Sequence, residues 1–191
     1  MVSRAEHRRS TLLRLADAAV DLFEERHPEQ PTAEEIAERA EVSRRTVFRY
    51  VDAKEDLAFV RPILWLDIFD AAVAEVADGT IRERIVHGAN RISRDIDADP
   101  EPVRRALLLA SRTPGMAGRY GAVNQRWVQR IAAEIAGDDA DAETRFRAHV
   151  LGAAVMGVID AALAEWVDDP DRRLVDIVDR GLEYLAPILD G

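Results

Sequence analysis

The chain of 191 residues contains no cysteine. Disulfide frameworks, thiolate zinc sites, cysteine nucleophiles and iron–sulfur clusters are therefore excluded. The four histidines, His7, His27, His87 and His149, form neither a His-x3-His pair nor a His-Glu-x-x-His motif. This spacing gives no support for a histidine-ligated metal, and we expect no metal and no other cofactor.

The sequence also lacks a long hydrophobic run. It begins with the polar and charged residues MVSRAEHRRS, and no stretch approaches the roughly 18 apolar residues that a membrane span needs. Hydrophobic residues still make up 48% of the chain, which is enough for a core without disulfide bonds. These features predict a soluble cytoplasmic protein that does not contact a membrane.

Positive charge is scarce, and lysine is almost absent. The formal net charge is −10, and Lys54 is the single lysine among 26 basic residues. This charge argues against a chain that coats nucleic acid over its whole surface, but it permits a local basic patch. The 25 arginines supply planar, forked donors wherever phosphate or carboxylate is bound.

Helical periodicity runs through the sequence, and no alternating strand pattern flanked by hairpin turns stands out. We predict an all-α fold of about nine helices. The first helix ends near Arg26, because the segment 27–31 contains two prolines that cannot continue it. Another helix is predicted from Lys54 to Ala77, with a kink at Pro62.

Two short helices follow the first one. The sequence Thr32–Glu35 matches a capping box and predicts a helix over residues 33–40. Ser43 is the predicted N-cap of a third helix over residues 44–51, with Val47 facing inward. Two helices this short, joined by a tight turn and braced by a longer helix, form a helix-turn-helix unit.

The third helix carries a basic patch on an acidic chain. Residues 42–54 hold four basic side chains and one acidic side chain, which gives +3 and leaves −13 for the rest. An ordinary solvated helix face is one interpretation of this cluster. The outward aromatics Phe48 and Tyr50 favour contact with DNA instead, because phenylalanine can meet a thymine methyl group and tyrosine can donate to a phosphate.

The segment Leu15–Leu57 resembles the DNA-binding domain of the TetR family of bacterial transcriptional regulators. The resemblance is carried by LADAAVDLFEER and TAEEIAERAEVSRRTVFRYVDAKEDL. It implies a DNA-binding domain over residues 1–54, a ligand-binding and dimerisation domain over residues 55–191, and by default a repressor. The family match implies DNA contacts from Thr32, Ser43, Arg44, Arg45, Thr46, Phe48, Arg49, Tyr50 and Lys54.

The family gives these positions different roles. Thr32 matches a residue whose hydroxyl and amide touch the phosphate backbone. The segment Arg44–Thr46 matches the start of the recognition helix, which family members place in the major groove. Phe48 takes the usual tyrosine position, while Tyr50 and Lys54 match residues that bind phosphate.

Three departures from the family pattern affect geometry rather than contact groups. Glu41 replaces the usual turn glycine, and a left-handed backbone there costs glutamate about 1 kcal/mol relative to glycine. Val51 replaces the common phenylalanine, and the segment 27–31 replaces a glycine–aromatic pair.

The remainder of the chain is similar to a TetR branch with an acyl-CoA-like ligand-binding domain, mainly through RTPGMAGRYGAVNQRWVQRIAAEIA. This similarity implies a small lipophilic effector. Core packing is the alternative for each apolar candidate, and Asp160 is either a buried polar anchor or exposed at a helix edge. The candidates for the ligand cavity are Trp65, Phe69, Leu108, Met116, Tyr120, Asn124, Trp127 and Met156.

Two strongly apolar helices close the sequence. Residues 150–159 are apolar on every side, and residues 174–185 keep an i, i+3, i+4, i+7 apolar pattern. Because so small a chain has few elements to cover both helices, we predict a homodimer through the last two. Its two recognition helices, about 34 to 36 Å apart, would read a palindromic double-stranded operator.

An enzyme is not predicted. The sequence has no Gly-x-Ser-x-Gly motif, no phosphate-binding loop and no histidine with an evident nucleophile. A helical small-molecule-binding module without DNA function is the alternative, and it would make Arg44, Arg45 and Arg49 solubilising residues only.

Overall fold

A computed structural model describes residues 4–26, 30–169 and 171–190. These residues are helical with short connections and contain no strand, so the predicted all-α class is confirmed. The elements within this part of the chain are α1 (Arg4–Glu25), α2 (Ala33–Arg39), α3 (Arg44–Tyr50), the 3-10 helix η1 (Lys54–Phe59), α4 (Val60–Glu75), α5 (Ile81–Ala98), α6 (Glu101–Arg112), α7 (Pro114–Ala136), α8 (Ala142–Asp168) and α9 (Leu174–Leu189).

The described residues form two compact units. The first contains the chain up to Leu64 together with Glu101–Gly121, and the second contains Trp65–Pro100 and the chain from Ala122 onward. Helix α6 and the first two turns of α7 therefore belong to the unit of the amino-terminal helices. The predicted division at residue 54 is a functional one and stays a prediction.

The first unit is built around α1. The residues on its inward face are buried at the 3.6-residue spacing that the sequence predicts; they are Leu12, Leu15, Ala16, Ala19, Leu22 and Phe23. Ile36 of α2 and Val47 of α3 are fully enclosed. Helix α6 is tied to α1 by Arg105, which donates to Glu24 and, at 2.7 Å, to Asp21. Both hydrogen bonds raise the pKa of Arg105, and the one with Glu24 has the larger effect.

The connection between α2 and α3 ends α2 with a left-handed residue. The amide of Glu41 donates to the carbonyl of Glu38, and the amide of Val42 donates to that of Ala37, which is the Schellman pattern. Glu41 has φ 54°. Glu41 thus adopts the left-handed conformation at the position where the family usually has glycine, the residue that tolerates this conformation best.

The predicted helix from Lys54 to Ala77 is divided, but not at Pro62. A 3-10 helix ends at Phe59 and α4 begins at Val60, so the proline lies in the first turn of an α-helix. In that position its missing N–H removes no helical hydrogen bond. The chain therefore changes helix type three residues before the predicted kink.

Close helix contacts in the second unit depend on glycine. A Cβ on Gly88 of α5 would lie 2.5 Å from the ring of Phe69 on α4. A Cβ on Gly152 of α8 would lie 2.8 Å from the Val128 carbonyl oxygen of α7. These helices approach more closely than any side chain would permit at the two glycines.

The start of α9 is capped from another helix. The carboxylate of Asp97 on α5 accepts from the Leu174 amide at 2.7 Å and from the Val175 amide at 3.2 Å. The pair Asp169–Pro170 in the sequence predicts a helix start there, but Pro170 lies outside the described residues and α9 begins at Leu174. A side chain 77 residues away in the sequence provides the acceptors that a local N-cap usually supplies.

Helix α8 is long and apolar enough to span a membrane, by length and composition alone. An 18-residue window of its 27 residues has a mean hydropathy of 1.7, and 33% of that window is buried. Among the described residues it is the single helix with this property. The sequence predicts no such stretch, because isolated polar residues interrupt the apolar run.

Candidate nucleic-acid interface

Helix α3 presents a cationic and aromatic surface. Val47 is its buried residue, while Arg44, Arg45, Phe48 and Arg49 are exposed. Phe48 has 47% of its surface accessible, which is unusual for a side chain of this size and type. The predicted orientation of the helix, with valine inward and arginines outward, is present in the structure.

Arg44 and Phe48 form a stacked pair on this surface. The guanidinium carbon of Arg44 lies 5.5 Å from the centre of the Phe48 ring. Its Nη1 atom is 2.8 Å from a carboxylate oxygen of Glu34 on α2. A forked donor beside an apolar ring edge suits the guanine acceptors and the thymine methyl group of the major groove.

Tyr50 at the end of α3 lies between two arginines. Arg49 donates to the Tyr50 hydroxyl oxygen at 2.9 Å, and its guanidinium carbon is 4.7 Å from the ring centre. The guanidinium carbon of Arg8 on α1 lies 5.7 Å from the same ring centre. Because the hydroxyl oxygen accepts from Arg49, its own proton is available to an external acceptor such as phosphate.

Arg8 is a candidate contact that lies outside the DNA-binding positions predicted from the sequence. Arg4 and Arg8 are exposed, whereas Thr11 and Leu15 are buried, and the four positions share one helix face. The inward stripe of α1 therefore changes from core residues to arginines near the carboxyl end of α3. The signal in the sequence was the arginines on the core-facing positions of the first two turns.

The hydroxyl residues at the starts of α2 and α3 act as helix caps. The Thr32 amide donates to Glu35 at 2.8 Å, and the Glu35 amide donates to the Thr32 hydroxyl at 3.3 Å, which confirms the predicted capping box. The hydrogen bond from the Thr32 backbone lowers the pKa of Glu35 most, and the hydrogen bond with the Thr32 hydroxyl lowers it further. Ser43 accepts from the Thr46 amide at 3.2 Å, as predicted for an N-cap.

Lys54 opens η1 and is held by two neighbours. Its Nζ atom donates to the Gln30 side-chain oxygen at 3.2 Å and forms an ion pair with Glu55. Only 23% of the lysine side chain is exposed. The ammonium group that the family resemblance assigns to phosphate is thus paired with a carboxylate.

The candidates for the ligand cavity differ in burial. Phe69, Met116, Trp127 and Met156 are buried, which agrees with core packing. The half-buried members are Trp65, Leu108, Tyr120 and Asn124. Leu108, Met116 and Tyr120 belong to the first unit and the other five to the second.

Three contacts organise these candidates within their own units. In the first unit, the rings of Phe59 and Tyr120 are 5.8 Å apart. In the second, Phe69 meets Trp127 edge to face at 5.6 Å, and Asn124 donates to both carboxylate oxygens of Asp160 at 2.9 Å. Asp160 is half-buried and hydrogen-bonded, so it is neither fully enclosed nor exposed at the helix edge.

Two open pockets lie within the second unit, and none of the predicted cavity residues lines them. One, of about 570 Å³, lies between the end of α4 and helix α5, near Glu75, His87 and Arg94. The other, of about 480 Å³, lies beside Ile81, Leu151 and Leu189. Within the described residues, no group of three or more histidine, aspartate or glutamate side chains is placed to hold a metal ion.

Comparison with known proteins identifies the family. The model described as bacterial regulatory proteins, tetR family, matches residues 15–59, and the model described as MftR C-terminal domain matches residues 69–190. The HTH-type transcriptional regulator TcmR of Streptomyces glaucescens is 32% identical over 193 residues, which cover 95% of this chain and 85% of TcmR. The chain belongs to the TetR family.

This TetR-family protein is a DNA-binding transcriptional regulator, as the sequence predicted. Its fold is shared with FadR of Thermus thermophilus, solved in complex with lauroyl-CoA, at 21% identity and a TM-score of 0.58, covering 91% of this chain and 92% of that one. FadR of Bacillus subtilis, solved with stearoyl-CoA, is 18% identical with a TM-score of 0.55, covering 90% and 96%.

Proposed function

We propose that this TetR-family protein is a ligand-responsive repressor that binds a palindromic operator as a homodimer and is released by a small lipophilic effector. The observation that carries the proposal is the exposed cationic and aromatic face of α3, on a chain whose residues outside 42–54 carry −13. Such a charge distribution directs one small surface toward DNA and repels DNA from the rest. Residues 1–54 bind DNA, and residues 55–191 bind the effector and dimerise.

The proposed contacts divide into base reading and backbone positioning. Arg44, Arg45 and Phe48 face outward from α3 and read base edges in the major groove. Tyr50 and Lys54 contact phosphates, joined by Arg8 because it lies beside the Tyr50 ring. Phosphate contacts fix the register on the duplex without carrying sequence information.

A continuous apolar stripe on α8 supports the homodimer. Phe146 and Val150 are 65% and 49% exposed, and the small residues Ala153, Gly157 and Ala161 continue the same face. No atom of the described residues lies within 4 Å of a Cβ placed on Gly157, so the backbone there is open to a second helix. Large apolar side chains beside small ones allow two helices to pack closely.

Helix α9 adds to this surface. Tyr184 is 75% exposed and Ile188 is 53% exposed. Gly181 lies against Val158 of α8, so the two helices pack as a pair. Two such pairs form a four-helix interface with twofold symmetry, and a symmetric dimer reads a palindrome with half-sites about 34 to 36 Å apart.

The effector is proposed to be lipophilic and acyl-CoA-like. Thermus thermophilus FadR, which shares the fold, was solved with lauroyl-CoA. In the second unit of this chain, the half-buried Trp65 supplies apolar surface, and the hydrogen-bonded pair Asn124 and Asp160 supplies a polar anchor. An effector that fits one arrangement of the body shifts the population away from the spacing that matches the operator.

Operator binding tests the DNA contacts. In a gel shift with the promoter beside its own gene, the wild-type protein should bind, and binding should weaken as salt rises. Lys54→Ala and Tyr50→Phe should each weaken binding to operator and unrelated duplex by a similar factor, since each removes one phosphate contact. Unchanged binding by both variants would reject these contacts, and salt-insensitive or absent binding would favour a helical ligand-binding module.

Sedimentation tests the dimer. The wild-type protein should be dimeric at micromolar concentration, and Val150→Glu should produce monomers, because a carboxylate would be buried without a partner. Ala71→Glu, at an exposed position on α4, is the matched control and should remain dimeric. A monomeric wild type, or equal behaviour of both variants, contradicts an interface on α8.

A further inference from the structure

The side chains around Lys54 form a balanced cluster of two cations and two carboxylates. The lysine pairs with one oxygen of Glu55. The other oxygen of Glu55 is 4.0 Å from Nε of Arg119 on α7. The Nη1 atom of Arg119 donates to Asp56 at 2.5 Å. Glu55 therefore lies between a cation that belongs to the proposed DNA contacts and one that does not.

Glu55 holds the ammonium group that the proposed function assigns to a DNA phosphate. Its side chain is 16% exposed. Burial raises its pKa, but the hydrogen bond and charge of Lys54 and the charge of Arg119 outweigh burial and lower it. An ionised carboxylate and a DNA phosphate compete for the same ammonium group, because each offers anionic oxygens to it.

Arg119 determines what remains when the lysine turns to DNA. If Lys54 leaves, Glu55 keeps a cationic neighbour in Arg119, and the three remaining groups carry a net charge of −1. Without Arg119 the two carboxylates would face the DNA backbone with −2, which disfavours the departure of the lysine. Asp56 also accepts from the Ala53 amide at 3.1 Å, so the cluster is fixed to the start of η1.

We propose that Glu55 and Arg119 set the strength of operator binding through Lys54. Glu55 is the intramolecular competitor of the DNA phosphate, and Arg119 is the positioning residue that relieves this competition. The proposal rests on the proposed function, since it requires Lys54 to contact DNA. Neither residue contacts DNA itself.

The position of Arg119 connects this cluster to α7. The helix begins in the first unit and continues into the second after Gly121. Cβ atoms placed on Gly115, Gly118 and Gly121 would meet no atom within 4 Å in the part of the chain that the structure describes, so no close packing there requires these glycines. Glycine forms helix less readily than alanine. The turns that carry Arg119 therefore have low helix propensity, and a shift of these turns would reach Lys54 through the contact of this arginine with Glu55.

Two isosteric variants with opposite expected effects test the proposal. Fluorescence anisotropy with a labelled operator duplex and an unrelated duplex measures Kd at several salt concentrations. Glu55→Gln should tighten binding to both duplexes by about three- to fivefold, the range of a partly exposed ion pair. Arg119→Gln should weaken binding by a similar factor, and the double variant should resemble Glu55→Gln alone.

Purely structural roles predict a different pattern, in which both substitutions weaken binding and lower thermal stability. That pattern, or no change in either variant, overturns the proposal. Glu55→Gln should give no gain when Lys54 is alanine, and a persisting gain also contradicts it. Glu101→Gln, at an exposed carboxylate on α6, controls for the loss of one negative charge and should change Kd less than Glu55→Gln. Absence of wild-type binding would instead reject the proposed function together with this inference.

Discussion

Gly88 on α5 lies directly against the ring of Phe69 on α4, with a hypothetical Cβ only 2.5 Å from Cδ2. The ring cannot yield easily, because Phe69 is 2% exposed and meets Trp127 edge to face. Gly88→Ala should therefore destabilise the protein by about 1–2 kcal/mol, as strain exceeds the gain in helix propensity. The midpoint of urea unfolding, followed by circular dichroism, measures this.

Gly118→Ala is the matched control for that experiment. The site lies within α7, and an added Cβ meets no described atom within 4 Å. Alanine should stabilise the protein there by about 0.5–1 kcal/mol through helix propensity alone. If both variants shift the midpoint in the same direction, the close contact between α4 and α5 is not as described.

The left-handed Glu41 predicts a stabilising substitution. Glycine should relieve the strain at φ 54° and raise the free energy of unfolding by about 0.5–1 kcal/mol. The greater conformational entropy of the unfolded glycine variant offsets part of this gain. Glu38→Gly is the control, since this exposed residue lies inside α2 and should lose about 1 kcal/mol. A destabilised Glu41→Gly variant would contradict the left-handed turn. Thermal unfolding of the two variants distinguishes these outcomes.

Arg8 predicts a phosphate contact outside the helix-turn-helix. Arg8→Ala should weaken binding to operator and unrelated duplex alike and lower the slope of log K against log salt by about 1. Arg14→Ala removes another exposed arginine from a different face of α1 and should leave the slope unchanged. Equal slopes for the two variants would exclude Arg8 from the interface.

Acid should destabilise the folded chain below about pH 4.5. Three glutamates have a pKa below the ordinary value of 4.5 in the folded protein. A hydrogen bond from the Arg39 side chain lowers the pKa of Glu25, and one from the Thr32 backbone lowers the pKa of Glu35. A hydrogen bond from the Arg172 side chain lowers the pKa of Glu165. The folded state thus binds fewer protons than the unfolded state. The three ionised glutamates contribute their full stabilisation of the folded state above pH 4.5. This stabilisation is lost as the pH falls through their lower, folded-state pKa values.

Urea midpoints at pH 7, 5, 4 and 3 measure this loss. Glu35→Gln keeps an amide oxygen for the Thr32 cap but removes the charge. Its midpoint should therefore depend less on pH than that of the wild type. A wild-type midpoint that stays constant from pH 5 to pH 3 would contradict the three shifts.

Local patterns in the sequence were sufficient for most helices and for the orientation of α3. The caps at Thr32 and Ser43 and the inward Val47 depend on residues within four positions of one another, and the structure has all three. Long-range partners could not be predicted. Asp97 caps α9 from another helix, and Arg119 meets Asp56 across 63 positions, because such pairings depend on packing rather than on spacing.

The candidate ligand cavity shows the same limit. The sequence could place aromatic and apolar residues on inward faces, but an inward position fits a packed core as well as a cavity wall. The edge-to-face contact of Phe69 with Trp127 belongs to a packed core. The pairing of Asn124 with Asp160 was equally hidden, since neither side chain identifies its partner.

Lys54, as the chain's only lysine, carries its only ε-amino group. A reagent selective for side-chain amines therefore modifies one position, and that position belongs to the proposed DNA contacts. Its reaction rate reports whether the amine is held by Glu55, held by a phosphate or exposed. The same protein, without any added probe residue, thus contains a chemical reporter of operator occupancy, and mass spectrometry of a single peptide would suffice to read it.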